Sequence, residues 1–415
     1  MRVLIIGGGI GGLTLAHGLR KADIKVLVFE RQREKTENLA GYGLHIDQNG
    51  RQALRSCLPL SNWAQLQTVF SSAGTKLFFR DTQLRVLAEK DDAKLSKRPS
   101  LEVERIAVGR LELREVLQHG LENIIQWGRS FVRYEKLEGG LLRAHFSDGT
   151  YEDCNLLVGA DGPNSVVRRQ YIPALERLDL SIRAIAGRYV LDKMRIKRLP
   201  DELTNGSLDN IVPSAKGWMF ISAWGPKPTA SYDSEDNSHY VVWAYVLPVN
   251  SITSELDALS TSELQNRVLG HMQEWSSDLK ELVQGSDPST IKCMAIRTMP
   301  ALEAWEPSNI TLLGDAIHNM TPMAGMGANT ALRDAEVLTR CLIDVKAGRF
   351  DLTQGVGLYE SEMRNYGNHA LRLSTQNAMN AGNGGKASRF LFRSFLRTAQ
   401  SFPVVMRATM GRSVS

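Results

Sequence analysis

Cysteine is scarce in this sequence. Among its 415 residues are four cysteines, Cys57, Cys154, Cys293 and Cys341, which lie far apart and form no C-x-x-C pair. Disulfide frameworks and thiolate zinc sites both need closer, paired spacings. We therefore expect reduced thiols, with neither a disulfide framework nor a metal site.

Long apolar runs and a strong charge of one sign are also missing. No run approaches the ~20 apolar residues that span a bilayer, and the apolar start runs into glycines too early for a signal peptide. Lys plus Arg at 50 against Asp plus Glu at 45 leaves a net charge of +5, spread without a basic stretch that would follow a phosphate backbone. These features favour a cytoplasmic protein with no integral membrane segment and argue against a nucleic-acid partner.

The composition and the N-terminal pattern indicate an α/β protein. Hydrophobic residues make up 43% and charged residues 23%, and the length is enough for two or three domains of about 150 residues. Residues 3–6 and 25–29 are apolar runs typical of strands that are covered on both faces. Residues 13–21, between them, carry one apolar stripe of a helix. The chain thus opens with a strand–helix–strand unit.

The turn between the first strand and the helix carries the pattern Gly7-x-Gly9-x-x-Gly12. The first glycine permits a tight turn, the second lets the backbone approach a pyrophosphate, and the third permits close helix–strand packing. Glu30 ends the second strand, where its carboxylate could accept hydrogen bonds from a ribose diol. A glutamate rather than an arginine here favours FAD or NAD over NADP, and we include its neighbour Arg31 in the predicted cofactor site.

A second motif places a carboxylate beside a glycine turn. The apolar run at residues 156–160 stops at Asp161-Gly162, and Ser165 then begins a helix. The segment could serve a cofactor, or it could be a capped strand-to-helix turn. From these residues alone the two interpretations are equally good.

A third motif follows the apolar run at residues 310–313. Asp315 ends that strand, where it could hold a polyol hydroxyl, and a glycine-rich turn then leads into a helix at residues 330–340. Backbone N–H groups at a helix start favour negative charge, and a reduced isoalloxazine carries its charge around N1 and the adjacent carbonyl. The turn is therefore suited to a flavin. Its candidate residues are Gly325, Gly327, Ala328 and Asn329.

In this order and at these separations, the three motifs resemble those of the para-hydroxybenzoate hydroxylase family, the single-component FAD-dependent monooxygenases. The resemblance implies a Rossmann-like FAD-binding domain of the glutathione reductase type, an inserted mixed or antiparallel β-sheet domain for the substrate, and a helical C-terminal tail. The implied bounds are 1–75, 100–178 and 290–350 for the FAD-binding domain, 76–99 and 179–289 for the substrate domain, and 351–415 for the tail.

The resemblance also implies roles for individual residues. Asp315 would bind the ribitol of FAD, and residues 327–329 would lie by the isoalloxazine. Arg110 resembles the family's arginine on a helix that faces FAD, although by spacing alone it could equally be a solvated charge. The other positions that the resemblance places at FAD are Gly7, Gly9, Gly12 and Glu30, Gly43 in the segment 41–46, and Asp161.

The reaction follows from the same resemblance. NADPH or NADH would reduce FAD, and O₂ would then form a C4a-hydroperoxyflavin that hydroxylates or epoxidises a small aromatic or unsaturated substrate. The sequence has no second glycine-rich strand–helix unit for the reductant, which fits the transient binding of nicotinamide in this family. We expect an enzyme of catabolism or secondary metabolism, acting as a monomer or homodimer.

The middle of the chain, residues 180–290, is predicted to consist mostly of strands and turns that keep water from the flavin. Arg188 is where some relatives carry a substrate-binding or catalytic arginine, but it could also be an outward-facing strand residue. His45 and His318 could each relay a proton or be hydrogen-bonded structural histidines. The aromatic residues that could line the pocket or belong to the core are Trp218, Phe220, Trp243 and Tyr245.

Two alternatives keep the same fold. One is a flavin-dependent reductase or dehydrogenase, similar to geranylgeranyl reductases, that inserts no oxygen. The other is a non-catalytic protein similar to the Rab GDP-dissociation inhibitors. Glu30, Asp315 and the glycine-rich turn argue against the second, because a protein that binds no flavin does not need them.

Overall fold

The structure is a computed structural model, and the residues that it describes are 1–33, 43–72, 76–91, 106–224, 239–249 and 253–402. Parts of the predicted domains lie outside these ranges. They are residues 34–42, 73–75 and 100–105 of the FAD-binding domain, residues 92–99, 225–238 and 250–252 of the substrate domain, and residues 403–415 of the tail.

The helices of the described residues are mostly short until the C-terminal third. They are α1 (Ile10–Lys21), α2 (Gln48–Cys57), α3 (Leu60–Val69), α4 (Arg110–Gln118), α5 (Val166–Tyr171), α6 (Asp201–Thr204), α7 (Thr253–Ala258), α8 (Thr261–His271), α9 (Ser277–Gln284), α10 (Asp315–His318), α11 (Gly327–Lys346), α12 (Leu352–Asn383) and α13 (Lys386–Ser401).

The strands alternate with these helices at the start of the chain, and the last described strand, β18, is followed by helices alone. They are β1 (Arg2–Ile6), β2 (Lys25–Glu30), β3 (Leu44–Ile46), β4 (Ser71–Ser72), β5 (Lys76–Arg80), β6 (Val86–Asp91), β7 (Ile106–Val108), β8 (Ile125–Trp127), β9 (Phe131–Lys136), β10 (Leu142–Phe146), β11 (Tyr151–Cys154), β12 (Leu156–Gly159), β13 (Leu178–Val190), β14 (Leu208–Ile211), β15 (Trp218–Trp224), β16 (Tyr240–Pro248), β17 (Lys292–Thr298) and β18 (Ile310–Leu312).

The chain divides into two compact units, each made of three segments. Unit 1 comprises Met1–Phe70, Val108–Leu178 and Arg297–Thr375, and unit 2 comprises Ser71–Ala107, Asp179–Ile296 and Gln376–Ser415.

Unit 1 is built on a five-stranded parallel sheet in the order β18-β12-β1-β2-β8. In β1, Val3 lies opposite Val26 of β2 on one side and Leu156 of β12 on the other. These strands are apolar along their length because both faces of the sheet are covered, and Leu4 and Ile5 are completely buried. The arrangement confirms the predicted Rossmann-like fold.

Two glycines of α1 let this helix approach α11 closely. A Cβ at Gly11 would lie 3.1 Å from the carbonyl oxygen of Ala331, and one at Gly18 would lie 2.4 Å from Thr339 Oγ1. The two glycines are two turns apart and therefore lie on one face of α1. Because α1 carries no side chain at these two positions, its backbone lies directly against α11, and the start of α11 is held beside the start of α1.

Unit 2 is built on a seven-stranded mixed sheet in the order β17-β13-β16-β15-β14-β5-β6. The prediction of mostly strands and turns for residues 180–290 missed four described helices, the short α6 after β13 and α7, α8 and α9 between β16 and β17. Helices α8 and α9 have only a few apolar positions each, such as Leu264 and Val268 of α8, and these pack in one cluster with residues of the sheet. A capping box of Ser260 and Glu263 begins α8.

Side chains alternate between the two faces of this sheet. Trp243 and Tyr245 are buried on the face that packs against α8 and α9, in one cluster with Leu279 and Leu282. Of their two predicted roles, the core role is therefore the correct one. Met219 and Ile221 of β15 belong to this cluster. Trp218 is the neighbour of Met219 on that strand, so its side chain lies on the opposite face of the sheet.

The described part of the chain ends with the long helix α12 and the helix α13. The helical C-terminal tail expected from the sequence is thus present up to Ser401. None of the helices in the described ranges combines the length and the apolar composition that crossing a membrane requires.

A buried carboxylic acid lies where α12 packs on the parallel sheet. Glu360 is completely buried, and its Oε1 accepts a hydrogen bond from Thr311 Oγ1 of β18 at 2.8 Å. Burial raises the pKa of Glu360 to about 7, although the Thr311 hydrogen bond opposes the rise. A carboxylate with a raised pKa favours the folded state at acidic pH, and this contribution is lost as the pH rises through about 7.

We expect Glu360→Gln to remove most of this pH dependence, because a neutral amide still accepts the Thr311 hydrogen bond. In the wild-type chain, this one group should weaken the fold by on the order of 3 kcal/mol between pH ~5 and pH ~8. Urea unfolding across that range measures the difference, with the exposed Glu138→Gln as the matched control. Equal pH slopes in both variants would contradict the assignment.

Candidate functional site

The turn after β1 is shaped by two glycines that touch their neighbours. Gly7 has φ +116°, which L side chains rarely adopt, and a Cβ there would lie 2.2 Å from the carbonyl oxygen of Ala160. A Cβ at Gly12 would lie 2.3 Å from the carbonyl oxygen of Gly7. Any larger residue would push the turn away from β12 or from α1.

Gly9 faces open space instead. A Cβ there would meet nothing within 4 Å, and its φ of −79° is ordinary, so neither packing nor conformation demands a glycine. Helix α1 begins at the next residue, and its first N–H groups have no acceptor within the helix. With the positive end of the helix dipole, this makes Gly9 a place where a phosphate can approach the backbone.

Glu30 lies beside this turn at the end of β2. Its Oε2 accepts a hydrogen bond from the Gly8 N–H at 2.8 Å, and its Oε1 accepts one from the Gln32 N–H at 3.0 Å. Each carboxylate oxygen has a second lone pair, so ligand hydroxyls can still donate to Glu30. Arg31, the next residue, is exposed.

Helix α4 presents two arginines in different surroundings. Arg110 is its first residue and is exposed. Arg114 is buried one turn later, where its Nε donates to the Gly8 carbonyl oxygen at 3.2 Å and its Nη2 lies 3.6 Å from Glu30 Oε2. Burial lowers the pKa of Arg114, and Glu30 opposes that change. Sequence reasoning missed Arg114, although its spacing of four from Arg110 puts both on one helix face.

Asp161 follows β12 and caps the helix after it. Its Oδ2 accepts a hydrogen bond from the Val166 N–H at 2.7 Å, and Ser165 Oγ accepts one from the Arg168 N–H at 2.9 Å. The other carboxylate oxygen of Asp161, Oδ1, is buried and has no hydrogen-bond partner among the described residues. Burial raises the pKa of Asp161. The capping interpretation is therefore correct, and one carboxylate oxygen is left over for a ligand.

Asp315 begins α10, two residues after the end of the apolar run that contains β18. Its carboxylate is half-buried and makes no hydrogen bond or ion pair with the described residues. The preceding Gly314 has φ +61°, and on the other side Arg168 Nη1 donates to the carbonyl oxygen of Ala316 at 2.8 Å. The backbone thus holds the carboxylate in place while its oxygens stay available.

Behind this turn, Asp334 of α11 is completely buried and accepts three hydrogen bonds. Its Oδ2 accepts from the Gly314 N–H at 2.7 Å and from His318 Nε2 at 2.6 Å, and its Oδ1 accepts from the Tyr366 hydroxyl at 2.6 Å. Burial lowers the pKa of His318, but Asp334, with help from Asp315, outweighs that effect and raises it. His318 is therefore held as a structural histidine.

The glycine-rich turn leads directly into α11. Gly325 is in the left-handed conformation, with φ +63°. Gly327, Ala328 and Asn329 are the first three residues of the helix, so their N–H groups have no acceptor within it. The helix start therefore offers backbone donors and a positive dipole end to a ligand.

The side chain of Asn329 is used inside the protein. Its Nδ2 donates to the His45 carbonyl oxygen at 2.9 Å, and its Oδ1 accepts from the Asp47 N–H at 3.0 Å. A Cβ at Gly50 would lie 2.3 Å from that Oδ1. Asn329 therefore ties β3 to α11, with Gly43 half-buried just before β3, and only its backbone is left to meet a ligand.

Four neighbouring strands bring the predicted residues to one edge of the unit 1 sheet. The carboxyl ends of β18, β12, β1 and β2 lead to Asp315, Asp161, Gly7 and Glu30. Arg188 is not part of this group, since it lies on β13 in unit 2 with its guanidinium 3.8 Å from the centre of the Tyr240 ring.

Sequence reasoning also missed Asp334. The available signal is its place on the buried stripe of α11, four residues after Thr330 and four before Leu338, both of which are buried. A carboxylate on such a stripe must find donors, because an unpaired buried charge is costly. The sequence alone does not say which donors these are.

Two family models match the chain. Residues 130–374, more than half of it, match the FAD binding domain family, and residues 5–42 match the NAD(P)-binding Rossmann-like domain family. The first match contains the motifs around Asp161 and Asp315, and the second contains the turn from Gly7 to Gly12.

Individual proteins agree with these matches. A candidate FAD-containing monooxygenase of Photorhabdus luminescens is 40% identical, with a TM-score of 0.83 over 92% of this chain and 98% of that one. The dual O-methyltransferase/FAD-dependent monooxygenase CTB3 of Cercospora beticola is 28% identical over 87% of this chain but only 44% of its own length, so this chain spans less than half of that relative. The 3-amino-4-hydroxybenzoate 2-monooxygenase of Streptomyces cremeus is 27% identical over 84% of this chain and 80% of its own.

We expect Asp334→Asn to destabilise the cofactor-free protein by about 3 kcal/mol, because the amide turns an N–H group toward a donor. Tyr366→Phe removes one of the three hydrogen bonds and should cost about 1 kcal/mol. The raised pKa of His318 makes its pair with Asp334 stabilising below pH ~6.5, and this contribution is lost as the pH rises through the raised value.

The loss in Asp334→Asn should therefore be largest at acidic pH. Urea unfolding at several pH values checks this, with the exposed Asp201→Asn as the control. A loss that does not change with pH would contradict the coupling to His318.

Proposed function

The chain belongs to the para-hydroxybenzoate hydroxylase-like family of FAD-dependent monooxygenases, and from this premise we propose that it is itself such an enzyme. It uses NADPH or NADH and O₂ to hydroxylate or epoxidise a small aromatic or unsaturated molecule. Bound FAD supplies the chemistry that activates O₂ once a nicotinamide has reduced it. The residues of the chain bind and orient cofactor and substrate and keep water out.

The convergence of four strand ends at one sheet edge is the observation that carries this proposal. Ligands of open parallel sheets bind outside the carboxyl ends of the strands. Open space at Gly9 admits a pyrophosphate, and Glu30 can accept hydrogen bonds from a ribose. Asp161 Oδ1 and the Asp315 carboxylate are acceptors that lack protein donors among the described residues. These residues fit the adenosine, pyrophosphate and ribitol parts of FAD.

The roles of the remaining cofactor residues belong to the same proposal. We assign Asp315 to the ribitol hydroxyls and the backbone of residues 327–329 to the isoalloxazine. Arg110 is assigned to FAD because it is the exposed first residue of α4, whose next turn already contacts the Gly8 carbonyl through Arg114. The assignments to Arg31 and Gly43 rest on the family resemblance and on their positions beside Glu30 and β3.

On the substrate side, we assign Arg188 to binding and His45 to proton transfer. Arg188 lies on the face of the unit 2 sheet opposite α8 and α9, and the strand register places it in one row with Val242 and Ser222. Ser222 Oγ is buried and has no hydrogen-bond partner among the described residues. A cation and a hydroxyl on one sheet face can orient an aromatic ring that carries polar substituents.

The setting of the enzyme is proposed on the same basis. Unit 1 serves FAD and unit 2 serves the substrate, in a cytoplasmic protein that works as a monomer or homodimer. A role in catabolism or secondary metabolism is part of the same proposal, and the relative named for 3-amino-4-hydroxybenzoate supports an aromatic substrate.

We expect Gly9→Ala to weaken FAD binding about 10- to 100-fold, because the added methyl group occupies the space through which the pyrophosphate approaches. The cofactor-free protein should lose no more than about 1 kcal/mol of stability, since the methyl group meets no protein atom and replaces glycine only at a helix N-cap. Fluorescence titration of the apoprotein with FAD gives the affinity, and thermal unfolding gives the stability.

Gly270→Ala on α8 is the matched control, because a Cβ there also meets nothing within 4 Å. It should bind FAD normally. Normal FAD affinity in Gly9→Ala would contradict the proposed position of the pyrophosphate.

The proposed activity is tested by adding NADPH or NADH to the FAD-loaded protein without oxygen and following the flavin absorbance. Isotopically labelled O₂ is then admitted in the presence of 4-hydroxybenzoate, 3-amino-4-hydroxybenzoate or an unsubstituted phenol. The expected result is faster flavin reduction with at least one of these probes and one labelled oxygen atom in its product.

Two results would overturn the proposal. A protein that cannot be reconstituted with FAD would remove its basis. A flavoprotein that reduces or oxidises such probes without incorporating the label would be a reductase or dehydrogenase.

A further inference from the structure

Helix α13 packs one face against other residues of unit 2, the unit to which it belongs. The Phe392 ring lies 6.1 Å from that of Phe79 and 5.9 Å from that of Trp218. Arg393, the next residue, donates through Nη1 to the Val212 carbonyl oxygen at 2.8 Å. These contacts fix which side of the helix is turned inward.

The outer face of α13 carries bulky apolar residues and cations. Phe390 is 71% exposed and Leu391 is 67% exposed. Lys386 lies one turn before this pair and Arg397 lies two turns after Phe390, and both are exposed. The helix has no acidic residue. Phe402, at its C-terminal end, is 60% exposed as well. We call Lys386, Phe390, Leu391 and Arg397 the outer patch.

Along the sequence, the positive charge increases toward the C-terminal end, where α13 lies. All 45 acidic residues precede residue 363, whereas eight of the 50 cations follow it. The last 53 residues therefore carry +8 and the first 362 carry −3. The net charge of +5 therefore combines a basic C-terminal segment of the sequence with a slightly acidic remainder.

We propose that the outer patch docks on an anionic lipid surface. An amphipathic helix binds such a surface by placing its bulky apolar side chains at the boundary between headgroups and acyl chains, while flanking cations meet the anionic headgroups. A second copy of this chain fits less well, since a symmetric contact would bring two cationic faces together. A nucleic acid would use the cations but would leave Phe390 and Leu391 without a partner.

Membrane docking has a consequence for the enzyme, and this part alone rests on the proposed function. A monooxygenase held at a membrane can take substrates that partition into the bilayer and are scarce in water. The docking itself depends only on α13 and is measured without turnover.

The test uses the full-length, FAD-loaded protein and sedimentation with unilamellar vesicles. One vesicle preparation is phosphatidylcholine alone, and the other contains about 30% phosphatidylglycerol to supply a negative surface potential. We expect binding to the anionic vesicles that falls as salt is raised, and much weaker binding to the neutral ones. Absence of binding to both would overturn the proposal.

Variants of the outer patch identify the surface. Lys386→Gln with Arg397→Gln should weaken vesicle binding about 25-fold, since each cation near the surface contributes about fivefold. Phe390→Ser with Leu391→Ser should weaken it at least tenfold. The matched controls are Lys193→Gln with Lys197→Gln, which removes two exposed cations elsewhere, and Leu60→Ser, which removes an 87% exposed leucine.

Controls that weaken binding as much as the patch variants would overturn the assignment to α13. So would a wild-type protein that ignores both vesicle types and forms a dimer which Phe390→Ser with Leu391→Ser dissociates, because the patch would then be an interface between copies. Flavin absorbance and circular dichroism should match the wild type in every variant, which separates lost docking from lost folding.

Discussion

The contact between the Gly7 turn and the Ala160 carbonyl is the constraint on which unit 1 depends. A Cβ at Gly7 would lie 2.2 Å from that oxygen, so β1 and β12 can end side by side only if the turn carries no side chain. Once they do, the turns after β1, β12 and β18 open at the same sheet edge. Gly12 extends the constraint to α1, and Gly11 and Gly18 extend it to α11. The close approach of these strands and helices therefore has to be satisfied before the turns can contact a ligand.

Buried polar groups then hold these turns in place. Asp334 accepts three hydrogen bonds and links the Gly314 turn to His318 and Tyr366. Arg114 lies between Glu30 and the carbonyl oxygen of Gly8 and contacts both. Such groups are costly to bury and are tolerated where their hydrogen bonds fix a geometry. They leave the carboxylate of Asp315 and one oxygen of Asp161 without protein donors in the described residues. The acceptors that the site can offer to a ligand are therefore the oxygen atoms that this internal network does not occupy.

Unit 2 follows a different rule, the alternation of side chains along strands. One face of its sheet packs Trp243 and Tyr245 under α8 and α9, and the other face carries Arg188, Ser222 and Trp218. The same alternation that fills the core therefore places Arg188 and Ser222 on the face away from α8 and α9, the face proposed for the substrate. Helix α13 repeats this division, with Phe392 turned inward and Phe390 turned outward.

The sequence by itself determined the class of the fold, the first strand–helix–strand unit and the glycine turn, because local spacing decides these features. It also located where three strands stop, since an apolar run must stop where a buried strand stops. Glu30 is the last residue of β2, whereas Asp161 and Asp315 follow β12 and β18 by two and three residues. Only the tertiary structure decided that Arg114 and Asp334 are buried. It also decided that the side chain of Asn329 is hydrogen-bonded at β3, and on which face of its sheet Trp243 lies. Those outcomes depend on partners distant in the chain, and the spacing of residues along a sequence does not record which distant partner will be met.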